Sequence, residues 1–292
     1  MQRFLAARAL PAIEIGDDQS YARTVRMPNG GWAVIQMRPI AGEDALEFRA
    51  RGADTSALPH LSSVARRIFD LGADPATIVS ALQPDAILGP LVKRRPGLWI
   101  PGVWDPFECA VRAIVGQQVS LLAGITLVTR LVQRAGQAIA TPIEGLTHLF
   151  PRPSDVVAAD LGGLGLTGGR ITALKEVAAA IVDGTLDFST STDEVVGQLT
   201  RIRGIGPWTA QYVALRALGA PDAFLCSDLV LRRIAAGNSE ETLTPSALEK
   251  RAEAWRPWRA YAAIHLWAAA VDQTEARGQA MLISKPRAAR PR

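Results

Sequence analysis

Residues 199–234, LTRIRGIGPWTAQYVALRALGAPDAFLCSDLVLRRI, constrain this chain more than any other stretch. They read as helix, tight glycine-rich hairpin, helix, short loop, acidic residue and helix. The hairpin is Gly204-Ile205-Gly206. Two glycines flanking one apolar residue allow a sharp turn with positive φ and close backbone approach. Pro207 suits the first turn of the next helix, where a backbone N–H has no intrahelical acceptor. Ile205 is expected to anchor the turn in the core. The pattern gathers backbone N–H groups at a helix N-terminus, which favours a bound anion such as phosphate. A helix-hairpin-helix of this kind can hold a DNA backbone without reading its sequence. Gly204, Ile205, Gly206 and Thr209 are the expected backbone-docking residues.

The flanking segments differ in character. Residues 19–50 carry three β-like runs, YARTVRM, GWAVIQMRPI and DALEFRAR, with Pro28-Asn29-Gly30-Gly31 as turn chemistry between the first two. Residues 62–71 are helix-like. From residue 83 onward the pattern is helical. Asp105-Pro106-Phe107-Glu108 combines an N-cap, a first-turn proline and a capping-box glutamate. The helix it opens runs through Val115 and breaks near Gly116-Gln117-Gln118. Helical spacing recurs over 125–136 and from Ile171 to Val182, the latter ending at Gly184. Thr244-Pro245 and Pro257-Trp258 open two further helices, and 138–168 reads as loops around a short helix. The expectation is an α+β domain over 1–82, a mainly α domain over 83–285 and a basic disordered tail over 286–292.

Bulk properties narrow the class. A chain of 292 residues with 48% hydrophobic content can bury two cores. Cys109 and Cys226, its two cysteines, cannot build a disulfide framework or the four-thiolate seat of an iron–sulfur cluster. That usage fits a reducing cytoplasm. No run of about 18 apolar residues suggests a membrane span, and no secretory h-region is visible. The net charge of +4 is matched by Lys285, Arg287, Arg290 and Arg292 in the last eight residues. The rest is neutral overall, so DNA binding must rest on local donors, with the tail adding at most weak, salt-sensitive affinity. His60, His148 and His265 lack metal-ligand spacing, and His265 reads as a satisfied helix residue.

Asp228 follows Trp208 by 20 residues and opens the helix LVLRR. Read locally it is a helix N-cap, a common role for aspartate. Four blocks add context: FLAARA at 4–9, PGVWDPFECAVRAIVGQQVS at 101–120, GIGPWTA at 204–210 and WRPWRAYAAIHLW at 255–267. In this order they resemble the helix-hairpin-helix DNA glycosylase superfamily. Within it the chain resembles the alkylbase branch, DNA-3-methyladenine glycosylase II of the AlkA type, to about residue 277. That implies a two-lobed helical fold behind a curved sheet, with the active site between the lobes. Members usually carry a further segment before FLAARA that forms an edge strand. Here only Met1–Arg3 precede it, so the first strand is expected to be missing, as in a domain cut from a longer fusion.

The resemblance also implies roles. Asp228 becomes the catalytic carboxylate, stabilising the sugar cation as the base departs and orienting water. Strand-cutting relatives carry a lysine nucleophile where this chain has Trp208, so the enzyme is expected to be monofunctional. Phe4, Trp208, Tyr212 and Trp267 match an aromatic base pocket. Ring faces attract cationic N-alkylated purines such as 3-methyladenine and 7-methylguanine. Without the resemblance, aromatics at helical spacing read as core. Gln117 and Gln118 match the bend that wedges the duplex when a base is flipped. Gln118 stands where the best-known member has leucine, and Leu229 where an aromatic can follow the aspartate. No cofactor or catalytic metal is implied. A structural Na or K ion at the carbonyls of Thr200, Ile202 and Gly204 is. The expected partner is double-stranded DNA with alkylated bases, bound by a cytoplasmic, nucleoid-associated monomer in base excision repair. Two readings compete: a glycosylase for deaminated or oxidised bases, and a non-catalytic DNA-docking module of a repair fusion. Asp228 argues against the latter, since docking alone needs no such carboxylate.

Overall fold

The apolar runs before residue 52 form a four-stranded antiparallel meander. In this computed structural model the described residues are 2–43, 45–237 and 241–283. The expected tail, 286–292, lies outside them. A short helix α1 (Gln2–Ala6) precedes β1 (Glu14–Gly16), β2 (Tyr21–Arg26), β3 (Trp32–Pro39) and β4 (Leu46–Arg51). The register pairs Glu14 with Arg23, Tyr21 with Met37 and Val34 with Arg51. Gly30, at φ +84°, closes the turn between β2 and β3. β1 is three residues long, too short for a sequence pattern to announce.

β2 is buried along almost its whole length, because both faces are covered. Successive strand residues point to opposite faces. On one face Ala22 packs with Val34 and Leu146. The Thr24 hydroxyl donates to the carbonyl of His148 over 2.6 Å. On the other, Arg23 reaches a helix 85 residues further along the chain.

The helices follow in order: α2 (Leu58–Ile68), α3 (Pro75–Leu82), α4 (Leu88–Arg94), α5 (Pro106–Val115) and α6 (Leu121–Ala135). Two-residue strands β5 (Gln137–Ala138) and β6 (His148–Leu149) pair before α7 (Pro153–Ala158), α8 (Gly168–Val182), α9 (Thr192–Arg201) and α10 (Pro207–Ala217). α11 (Leu229–Ala235), α12 (Pro245–Ala252) and α13 (Arg259–Ile283) complete the chain. Packing divides these elements into two units that interleave the sequence segments 1–82 and 83–285. The first combines Met1–Ile68 with Gly102–Leu218, and the second combines Phe69–Pro101 with the chain from Gly219 on.

The first unit's core runs through Phe107, Val111 and Ile114 of α5, Leu131 of α6, Leu174 of α8, Leu199 of α9 and Val213 of α10. α5 starts as expected: Asp105 caps the Glu108 N–H over 2.8 Å and Pro106 follows. Glu108 does not complete a capping box. It is 3% exposed and its carboxylate pairs with Arg23 and Arg112 instead. Two guanidiniums, one of them buried, outcompete a backbone N–H for an ionised acceptor.

In the second unit Asp85 is the organising residue. It accepts from the N–H groups of Ile87 and Leu88 at the start of α4, from Arg251 of α12, and from the indole N–H of Trp255 over 2.9 Å. Trp255 is 1% exposed, so its one donor has found the partner that burial demands.

Candidate functional site

The hairpin forms from strong local signals. A Ser191–Glu194 capping box starts α9. The chain turns at Ile202–Gly206 and Pro207 opens α10. Ile205 is 5% exposed and sits in the core, as expected. Only one of the two glycines needs its conformational freedom. Gly204 has φ +88°, while Gly206 is extended at φ −87°, ψ 172°. A Cβ on Gly206 would meet nothing within 4 Å. The turn itself therefore requires glycine at 204 and tolerates a side chain at 206.

The two amides behave differently. Gln117 and Gln118 lie in the turn after α5, not within a helix. Gln117 is turned inward: its amide donates to the Gly204 carbonyl over 3.1 Å and to Thr209 Oγ1 over 3.2 Å. Its own carbonyl accepts from Arg170. Thr209 is 4% exposed, so its hydroxyl is engaged inside the protein and not with a docked backbone. Gln118 alone projects from the turn, exposed and at φ +55°. Two of the three carbonyls expected to hold a cation already accept a hydrogen bond. Ile202 accepts from Ile205 N–H over 3.1 Å and Gly204 accepts from Gln117.

Beside the hairpin helix the first unit holds a cavity of about 250 Å³. Phe4, Trp208 and Tyr212 line it. Trp208 and Tyr212, one helical turn apart, stack with centroids 5.3 Å apart and planes 10° from parallel. Two arginines that sequence reasoning passed over share the lining. Arg8 lies over the Phe4 ring at 3.9 Å, and Arg216 lies 5.2 Å from Phe4 and 5.6 Å from Tyr212. Arg216 also donates to the Tyr212 hydroxyl over 2.8 Å. Burial pushes the Arg8 guanidinium below its ordinary value, and neighbouring Arg216 adds to the effect. The signal for both was in the chain: Tyr212/Arg216 are spaced i, i+4 on α10, which brings side chains together on a helix, and Arg8 lies four residues from Phe4 in the turn after α1.

Below the rings lies a charged floor. Arg23 bridges Glu14 over 3.1 Å and Glu108 over 2.6 Å. Arg112 pairs with both glutamates and donates to the Arg8 carbonyl over 3.0 Å. The Tyr21 hydroxyl donates to Glu14. Burial alone would raise the Glu108 carboxyl, but the guanidiniums of Arg23 and Arg112 hold it down at about 2. Cys109, also lining the cavity, is pushed up by burial to about 12 and is inert as a nucleophile.

Asp228 and Trp267 belong to the second unit. Asp228 is half-buried and caps α11. Its Oδ1 accepts from Leu231 N–H over 2.9 Å and from the Trp267 indole over 3.3 Å. The cap role read from the sequence is thus the one the structure shows. Leu229, next to it, is 64% exposed. His265 is 2% exposed, and burial with Arg95 nearby lowers its imidazole to about 4. Among the described residues, no group of three His, Cys, Asp or Glu side chains could hold a metal ion, and no helix is long and apolar enough to cross a membrane.

Comparison with known proteins decides the family. Residues 1–105 match the model of the AlkA N-terminal domain. The chain is 35% identical over 272 residues to DNA-3-methyladenine glycosylase 2 of Escherichia coli, covering 91% of this chain and 92% of that protein. The chain belongs to the DNA-3-methyladenine glycosylase 2 family. It is 38% identical over 265 residues to a probable bifunctional transcriptional activator/DNA repair enzyme AlkA of Mycobacterium tuberculosis. That match covers 90% of this chain and 53% of the relative, so the chain spans about half the length of that protein. Among solved structures, 3-methyladenine DNA-glycosylase from Archaeoglobus fulgidus has the same fold, with a TM-score of 0.76 at 20% identity, covering 91% of each chain. The small antiparallel sheet followed by a mainly helical body is thus a glycosylase fold.

Proposed function

We propose that the protein is a monofunctional DNA glycosylase that hydrolyses the N-glycosidic bond of flipped, alkylated purines, 3-methyladenine and 7-methylguanine among them. The observation that carries this reading is the Trp208–Tyr212 stack lining the cavity beside the hairpin. A flipped base needs an aromatic slot near the element that grips the backbone. The hairpin amides hold phosphate, and the base is stacked in the cavity. As the C1′–N bond breaks, its electron pair leaves with the base. The Asp228 carboxylate stabilises the positive charge left on the sugar, orients water toward C1′ and takes up its proton. The Trp267 N–H holds the carboxylate in position. Trp208 offers no amine, so water is the nucleophile and the strand stays intact. The protein acts as a cytoplasmic monomer at the nucleoid.

A second reading is favoured by Arg8 and Arg216. Guanidiniums on the faces of Phe4 and Tyr212 occupy the places where a cationic base would gain most. They repel such a base and can donate to the exocyclic oxygen of a neutral, deaminated purine. Both readings are tested by chromatography of free base released from duplexes carrying 3-methyladenine, 7-methylguanine or hypoxanthine. Release of the alkylpurines is expected. Release of hypoxanthine alone transfers the assignment to deaminated bases, and release of none overturns both.

A further inference from the structure

Six charged side chains line the cavity: the guanidiniums of Arg8, Arg23, Arg112 and Arg216, and the carboxylates of Glu14 and Glu108. The lining thus holds two more positive groups than negative ones. Arg23 and Arg112 pair with both glutamates on the floor. Burial keeps the Tyr21 hydroxyl and the Cys109 thiol protonated, so neither adds a negative charge. The positive excess therefore sits on the aromatic side, at Arg8 and Arg216.

Arg8 is half-buried and its guanidinium donates to the Phe4 carbonyl over 3.3 Å. Among the described residues no carboxylate pairs with it. It shares the Phe4 ring with Arg216, the two guanidinium carbons lying 3.9 and 5.2 Å from the ring centroid. Like charges gathered on one ring repel, and the ring face offsets only part of that cost. From the floor, Arg112 donates to the Arg8 carbonyl over 3.0 Å and fixes the backbone that carries this cation. A charge is thus held at the cavity wall whose counter-charge must come from a ligand.

The chemistry of base loss supplies one. When the C1′–N bond of a cationic alkylpurine breaks, the electron pair neutralises the base. A neutral purine receives the same pair and becomes an anion, spread over its rings and exocyclic oxygen. That negative charge develops only as the bond breaks, and a contact that strengthens in the transition state raises the rate. A cation already in place, in a site with little water, is well suited to meet it.

We propose that Arg8, with Arg216 beside it, is a catalytic residue for neutral bases such as hypoxanthine, stabilising the anion that forms on the departing base. The proposal rests on reading the cavity as the base pocket, and it concerns the breaking bond, not which base is admitted. The C1′–N electron pair passes to the base, Asp228 takes the proton of the attacking water, and the released base anion takes a proton from solvent. No protein acid has to protonate the base.

The test is single-turnover base release from duplexes carrying hypoxanthine or 7-methylguanine, with the dissociation constant of each duplex measured alongside. Arg8→Gln should slow hypoxanthine release about a hundredfold. Release of 7-methylguanine, which departs as a neutral molecule, and affinity for the hypoxanthine duplex should both stay within about threefold. Arg8→Lys keeps the charge and should recover most of the hypoxanthine rate. An equal loss on both substrates marks a structural role and overturns the proposal, as does a loss confined to affinity or no loss at all. If the unmodified protein releases 7-methylguanine but no hypoxanthine, this proposal fails and the glycosylase reading stands. If it releases neither, the glycosylase reading itself fails.

Discussion

The side-chain amide of Gln117 donates to the carbonyl oxygen of Gly204 over 3.1 Å, joining the turn after α5 to the hairpin before α10. Gly204 supplies the other half of this arrangement through its φ of +88°. Gly204→Ala forces an L residue into that conformation, at about 1–2 kcal/mol. It should lower the urea midpoint and weaken binding to any duplex, damaged or not. Gly206→Ala should leave the midpoint unchanged, because its Cβ meets nothing. Its effect should be confined to DNA binding, where a methyl group would obstruct phosphate approach. Equal destabilisation by both substitutions would contradict this turn geometry.

The Glu108 cluster is a buried ion-pair network of the first unit. Glu108→Gln leaves Arg23 without one of its two carboxylates in a site 5% exposed. Breaking a buried pair of this kind costs about 3–5 kcal/mol. The pH dependence has a definite sign. The folded carboxyl titrates at about 2 and the free one at 4.5, so folding favours the ionised form. The stabilisation is present above pH 4.5 and is lost as pH falls through about 2. Urea titrations across that window should show a steeper loss in the unmodified protein than in Glu108→Gln.

His265 acts in the opposite sense. Its folded value of about 4 lies below its ordinary 6.5, so the folded state excludes a proton that the unfolded chain binds. Stability is full above pH 6.5 and declines toward about 4, by up to about 3 kcal/mol. His265→Gln should flatten the melting temperature across this range, and an unchanged slope would remove His265 as its source.

What was legible in the sequence was local. Gly204, Pro207 and Ile205 announce the hairpin because turn chemistry lies within a few residues. Asp228 reads correctly as a cap for the same reason. What was not legible depends on distant chain. Glu108 fits a capping box until Arg23, 85 residues away, arrives beside it. β2 is covered on its second face by residues 143–149, which no strand pattern foretells. Thr209 looks like a docking residue on a helix start, and only the fold turns it toward Gln117. Arg8 and Arg216 were within reach, since each lies four residues from an aromatic ring already singled out.

Trp208 makes the reaction type testable. No lysine lies between Lys175 and Lys250. Lys175 is engaged with the carbonyls of Val157 and Ala159. Borohydride should therefore trap no covalent adduct with DNA, and strands should break only after alkali. Efficient trapping matched to cleavage without alkali would require an amine nucleophile and contradict the hydrolytic mechanism.

The central claim is that the Asp228 carboxylate acts on the sugar as the base departs. The decisive measurement is single-turnover base release by Asp228→Asn, alongside its affinity for a duplex with an abasic-site analogue. Asparagine preserves the cap on Leu231, so the fold is retained. The predicted result is a loss of at least about a hundredfold in release, with abasic-site binding within about threefold of the unmodified protein. Release at the unmodified rate would contradict the claim.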